Sequence, residues 1–134
     1  MMLRGKVLID GVGVGPLLRL SKPISFWGGV DPVTGRITDP RHPDHGTCVS
    51  GTVLALTKTI GSSSSSAIML ELLSKGLAPC VLLMGRPDAI LTLGVVVARE
   101  MGMGSIPVLQ VDVNKIPAVS TAEIKEGGEI FFSD

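Results

Sequence analysis

Apolar positions recur every second residue near both ends of the chain and at spacings of three and four through its second half. Lys6-Val7-Leu8-Ile9-Asp10 predicts a short strand and Pro16-Leu17-Leu18-Arg19-Leu20 another, with Gly11, Gly13 and Gly15 forming a glycine-rich bend between them. Residues 25–46 are rich in Gly, Pro and Asp, hold both histidines and follow neither period, so they predict a long ordered loop. Loops of that length tend to carry function. Thr47 to Lys58 predicts a mostly buried strand through Val49, Val53, Leu54, Ala55 and Leu56.

The period then changes. Ile68, Leu72 and Lys75 against Met69 and Leu73 give helical spacing, and Gly76 supplies the stop. Ala78 to Met84 predicts a buried strand, Gly85-Arg86-Pro87-Asp88 a turn, and Asp88 to Met101 a second helix. Ile106 to Val111 and Glu129 to Phe132 close the series as strands. Strands cluster early and strand–helix units follow. The expected class is therefore α/β, a mixed sheet or barrel-like β layer with about two covering helices, in one domain spanning 1–134.

Composition narrows the function. Twelve basic and twelve acidic side chains cancel, and no Lys/Arg cluster stands out, so a nucleic-acid partner is not expected. Low charge beside 45% hydrophobic residues favours association, so part of the apolar surface is expected to meet a partner. The apolar run Ala89–Ala98, about ten residues, is half of what crossing a bilayer requires, so no membrane span is expected. Cys48 and Cys80 stand alone, without a second Cys or His at structural-zinc spacing, so this chain is expected to bind no metal. Lone cysteines behind a strand-like N-terminus fit the reducing cytoplasm.

The most informative feature is Gly61 followed by five serines, Ser62 to Ser66, at the start of the first helix. A flexible linker there would divide the core. As a helix start, Gly61 permits a sharp turn, one serine caps it, and free N–H groups with the positive end of the dipole attract an anion. One cap requires one serine. The remaining hydroxyls fit a bound carboxylate or phosphate, or one of them fits a proton-transfer group. Other features carry less. The glycines of 11–15 are followed by Pro16 and a strand, against a dinucleotide loop. His42, Asp44, His45 and Cys48 fit loop-stabilising hydrogen bonds better than a metal cluster. No GxSxG elbow supports a hydrolase triad. Trp27 fits a core plug or an interface anchor, and Arg86 either a surface residue or an anion contact.

Three motifs then coincide in order: SFWGGVDPVTGRITDPRHPDHG at 25–46, the glycine–serine run at 61–66, and PDAILTLGVVVARE at 87–100. Together they closely resemble the small swivelling domain of the aconitase X enzymes, over about Leu3 to Val111. The resemblance implies a swivelling β/β/α domain that occurs either fused to a larger catalytic part or as a separate small subunit. It further implies a hydro-lyase in which the large subunit holds an iron–sulfur cluster and this chain supplies a serine base. The matching serine is Ser62; Gly61, Ser63 and Ser64 would bind a small-molecule carboxylate substrate or orient Ser62. Neither cysteine matches a cluster ligand.

Two substrates compete within the family. The loop and second helix favour the cis-3-hydroxy-L-proline branch, the alternative being a phosphomevalonate dehydratase small subunit. Family members often place a basic residue directly before the motif glycine; here Thr59-Ile60 stand there and Lys58 lies farther back, against a phosphorylated substrate. Two readings of other classes remain. One is a non-catalytic swivelling module binding an anionic metabolite or a partner protein; the other is a homo-oligomer assembled through the Trp27 loop.

Overall fold

The computed structural model describes residues 1–134. Its strands are β1 (Met2–Arg4), β2 (Lys6–Ile9), β3 (Gly13–Arg19), β4 (Val53–Leu56), β5 (Val81–Met84), β6 (Val108–Gln110), β7 (Thr121–Lys125) and β8 (Glu129–Ser133). They pair in the order β1-β8-β7-β3-β4-β5-β6-β2. The two end strands are joined in sequence through Gly5, so the sheet curls back on itself into a nearly closed barrel. Pairing is parallel along β3-β4-β5-β6 and antiparallel elsewhere. The α/β class with a mixed, barrel-like sheet is therefore as expected, and three helices accompany it: α1 (Phe26–Gly29), α2 (Ser65–Ser74) and α3 (Ala89–Glu100).

The β4 and β5 sequences are uniformly apolar because both of their faces are covered. Val53, Ala55, Val81 and Leu83 point into the barrel, where they meet Leu109, Ile124, Ile130 and Phe132. Leu54, Leu56, Leu82 and Met84 point the other way, onto Met69 and Leu72 of α2 and Leu91, Val95 and Ala98 of α3. Fully burying one such side chain contributes about 1.5–3 kcal/mol.

Three predicted spans change. Of the glycines of 11–15 only Gly11 lies between two strands: Gly13 to Arg19 is one strand that pairs antiparallel with β7 as far as Pro16 and parallel with β4 from Leu17. A Cβ on Gly15 would stand 2.5 Å from the Gly51 carbonyl oxygen, so the glycine serves close backbone approach. The strand predicted from Thr47 begins only at Val53, because the Thr52 N–H (3.2 Å) and hydroxyl (2.7 Å) both donate to the Val49 carbonyl oxygen and tie off a turn. The long loop also contains more order than expected, namely the single turn α1 and the isolated bridges Val30–Ile37 and Arg36–Cys48. β7 lies outside the predicted strands; it turns Ala122 and Ile124 inward and Glu123 and Lys125 outward.

Both long helices stop as their sequences direct. Gly76 and Gly102 adopt left-handed φ (70° and 71°), and the two N–H groups beyond each helix return to its last carbonyls: Gly76 to Leu73 and Leu77 to Leu72, Gly102 to Arg99 and Met103 to Ala98. Within α3, Gly94 sets the distance to α2. A Cβ there would lie 2.6 Å from the Ser66 carbonyl oxygen and 3.1 Å from Met69 Cβ. Gly94→Ala therefore overpacks the helix pair against a backbone oxygen that cannot step aside, at the upper end of about 1–3 kcal/mol, which exceeds the roughly 1 kcal/mol gained in helix propensity. The expected outcome in thermal unfolding is a Tm lower by roughly 2–6 °C; an unchanged or raised Tm would contradict this packing.

Candidate active site

Ligands of open α/β sheets bind beyond the carboxyl ends of parallel strands. At that edge β4 runs into the serine segment, β5 into Gly85–Asp88, and β6 into a 3-10 turn at Val113–Lys115. The sequence-predicted group of Gly61, Ser62, Ser63 and Ser64 lies here, immediately before α2. Gly61 and Ser63 are exposed and Ser62 and Ser64 half-buried, whereas Ser65 turns into the protein at 1% exposure.

The capping arrangement is specific. Ser64 occupies the N-cap of α2, but its side chain makes no capping bond. Instead the Ser62 hydroxyl oxygen accepts the Ser64 N–H at 3.2 Å, and the Ser62 carbonyl oxygen accepts the Ser65 N–H at 3.2 Å. The capping hydroxyl thus lies two residues ahead of the N-cap. An N–H aimed at this oxygen, at the positive end of a ten-residue helix, stabilises negative charge on it.

Beside Gly61 opens a cleft of about 300 Å³ whose walls include Lys58, Thr59, Arg86, Asp88 and Ile90. Its two walls are the loops after β4 and β5, and they are laced together. The Arg86 N–H donates to the Thr57 carbonyl oxygen (2.8 Å), and the Thr59 hydroxyl donates to one Asp88 carboxylate oxygen (2.6 Å). The other Asp88 oxygen caps α3, accepting the N–H groups of Ile90 (2.9 Å) and Leu91 (3.0 Å). Asp88 therefore fixes the first turn of α3 and the chain three residues before Ser62 at once. A wider recess of about 640 Å³ opens at the same edge, between Thr57, Gly85, Gln110, Asp112, Arg4 and Lys6. No residue of the Gly61–Ser66 run lines it, whereas Gly61, though none of the serines, lines the smaller cleft.

The other candidates separate from this site. The His42 ring is buried in its loop: Nδ1 accepts the Asp44 N–H (3.0 Å), leaving Nε2 to donate to the Lys22 carbonyl oxygen (3.0 Å). It thus acts as a loop-stabilising residue. Trp27 is 57% exposed while the neighbouring Phe26 fills the core, so the tryptophan is no core plug. No three His, Cys, Asp or Glu side chains gather where a metal would need them. Cys80 directly precedes β5 and Cys48 lies ahead of β4, at the opposite edge from Ser62. The two cysteines do not fit as ligands of a cluster serving the serine.

Lys58 and Arg86 were not both expected in the cleft. The signal for them is faint but present: each stands two residues beyond a four-residue apolar strand.

The sequence profile of the aconitase X swivel domain matches residues 2–131, and the chain belongs to that family. It is 43% identical over 106 residues to the cis-3-hydroxy-L-proline dehydratase of Hypocrea jecorina, a match that covers 79% of this chain and 18% of that protein. It is 33% identical over 132 residues to the phosphomevalonate dehydratase small subunit of Pyrococcus furiosus, covering 97% of this chain and 94% of that one. The crystal structure of Thermococcus kodakaraensis aconitase X in its holo form matches with a TM-score of 0.88 and 27% identity, over 100% of this chain and 99% of that chain.

The two thiols give a check on the local electrostatics. The Ser50 hydroxyl, when its single proton turns from the Leu77 carbonyl oxygen to the sulfur, together with the Ser50 N–H and the Arg36 guanidinium, holds the Cys48 thiol below its usual range. Burial pushes the Cys80 thiol up. Cys48 therefore carries more thiolate at any pH near 8 and is expected to be carboxymethylated by iodoacetate several-fold faster than Cys80. Peptide mass analysis of a time course checks this, and faster labelling of Cys80 would contradict it.

Proposed function

We infer that the chain is the swivelling subunit of an aconitase X-type hydro-lyase, with Ser62 as its base and a large subunit as its partner. The observation that carries this reading is the Ser62 hydroxyl oxygen, which accepts the Ser64 N–H at the start of α2, one residue after the Gly61 that lines an open cleft. A serine is a poor base unless its anion is stabilised, and that N–H together with the helix dipole supplies the stabilisation. In the step so assigned, Ser62 Oγ takes the proton from the carbon next to the substrate carboxylate. The C–H electron pair becomes the new C=C bond as hydroxide leaves, and the proton remains on Oγ. Gly61, Ser63 and Ser64 shape the site around the substrate.

The iron–sulfur cluster of this family belongs, on the same reading, to the large subunit, since the residues of this chain do not fit as its ligands. A cleft open on one side agrees with a site completed by a second polypeptide. So does α3, which leaves Leu93 52% and Val96 40% exposed on its outer face. The substrate we favour is cis-3-hydroxy-L-proline, supported by 43% identity to a dehydratase so named, against 33% for the phosphomevalonate enzyme. The second reading keeps one observation of its own, the match to 94% of a phosphomevalonate dehydratase small subunit.

Ser62→Ala tests the role. In the complex with the large subunit, kcat is expected to fall by roughly 100-fold or more, while the affinity between the subunits, read by calorimetry, stays within about threefold. A variant that keeps kcat within threefold of wild type would remove Ser62 as the base.

A further inference from the structure

β4 and β5 are parallel and in register, with Leu56 opposite Met84. Just past that pair both strands end, and the Arg86 N–H donates to the Thr57 carbonyl oxygen (2.8 Å), which keeps the segment of Lys58 against that of Arg86. Both line the cleft next to Gly61, and both are exposed. Like charges brought to one cleft repel, and an acid paired with either would relieve this. None is supplied here. The ion pairs of the structure join Arg4 to Glu129, Arg41 to Asp39 and Lys75 to Glu71, and so leave Lys58 and Arg86 free. The one carboxylate in the cleft wall is Asp88, and its oxygens already accept from the Thr59 hydroxyl and from two N–H groups of α3.

From this juxtaposition we propose that Lys58 and Arg86 form an oxyanion-binding subsite that holds a carboxylate or phosphate group of the ligand beside the Ser62 motif. The guanidinium offers a planar fork to two oxygens of such a group, and the ammonium adds a point charge. An anion between the two cations turns their repulsion into two attractions. The distance of Lys58 from Gly61 in sequence is no obstacle, because both line the same cleft as Arg86. As a substrate subsite the proposal rests on the dehydratase reading; as an anion site it stands on the cleft and its two unpaired cations alone.

The test has two arms. In the first, the full chain labelled with nitrogen-15 is titrated with inorganic phosphate, and separately with acetate, at constant ionic strength. Saturable shifts are expected at the amides of Lys58–Ser62 and Arg86–Ile90, at least tenfold weaker in affinity in Lys58→Gln/Arg86→Gln. Absence of saturation, or equal binding by the double variant, would overturn the proposal. In the second arm, the complex with the large subunit is assayed on cis-3-hydroxy-L-proline and on 5-phosphomevalonate. Arg86→Gln is expected to raise KM at least tenfold with kcat within threefold, and Arg86→Lys to fall between. An effect on hydroxyproline identifies the held group as the carboxylate, and an effect confined to phosphomevalonate identifies it as the phosphate. An unchanged KM would overturn the subsite. A wild-type complex that turns over neither compound would count against the dehydratase reading, and the phosphate titration would still decide the anion site.

Discussion

Complete enclosure of β4 and β5 is the constraint from which the rest of the structure follows. Every side chain of Val53–Leu56 and Val81–Met84 is fully buried, so both faces of the central strands must be covered at once. The barrel covers one face through β7 and β8, and α2 and α3 cover the other. A strand buried on both faces can turn polar only beyond its ends. The β4 and β5 ends therefore carry the serines, Lys58, Arg86 and Asp88, and the parallel arrangement gathers them at one edge. Closure of the sheet through Gly5 and the tight stops of both helices leave that edge as the place where polar loops meet.

The same constraint explains what the sequence could and could not reveal. The run Gly61–Ser66 was legible because turn chemistry and the helical spacing of Ile68, Met69, Leu72 and Leu73 are local signals. The two helices and their glycine stops were legible for the same reason. The stretch Gly13–Gly15 was misread as a bend, since local propensity cannot show that the Gly51 carbonyl oxygen would collide with a side chain at Gly15. The strand predicted from Thr47 was too long because a side-chain hydrogen bond, Thr52 to Val49, overrode an apolar pattern. Lys58 and Arg86 are far apart in number, and only the parallel pairing of β4 with β5 brings the loops that carry them together. Long-range pairing of that kind is invisible to periodicity.

Chemistry and stability are coupled through α3. Asp88 starts the helix and holds Thr59, Gly94 brings its middle against Ser66, and its inner face seals the core over β4 and β5. The serine segment is thus held at its entry and its exit by one element, although Ser62 itself is only half-buried. Such a site has a fixed nucleus and an open front. On the reading we favour, a second polypeptide completes that front, which accounts for the neutral, apolar surface and for cysteines that lie at the far edge of the sheet.

The central claim is that this chain contributes the base half of a dehydratase site. The most direct measurement is anaerobic turnover by the chain combined with the large subunit from the same source, with cis-3-hydroxy-L-proline, its trans isomer and 5-phosphomevalonate offered in parallel. The account predicts turnover that requires both chains and selects the cis-hydroxyproline. A stable two-chain complex with its cluster loaded that dehydrates none of the three would contradict it.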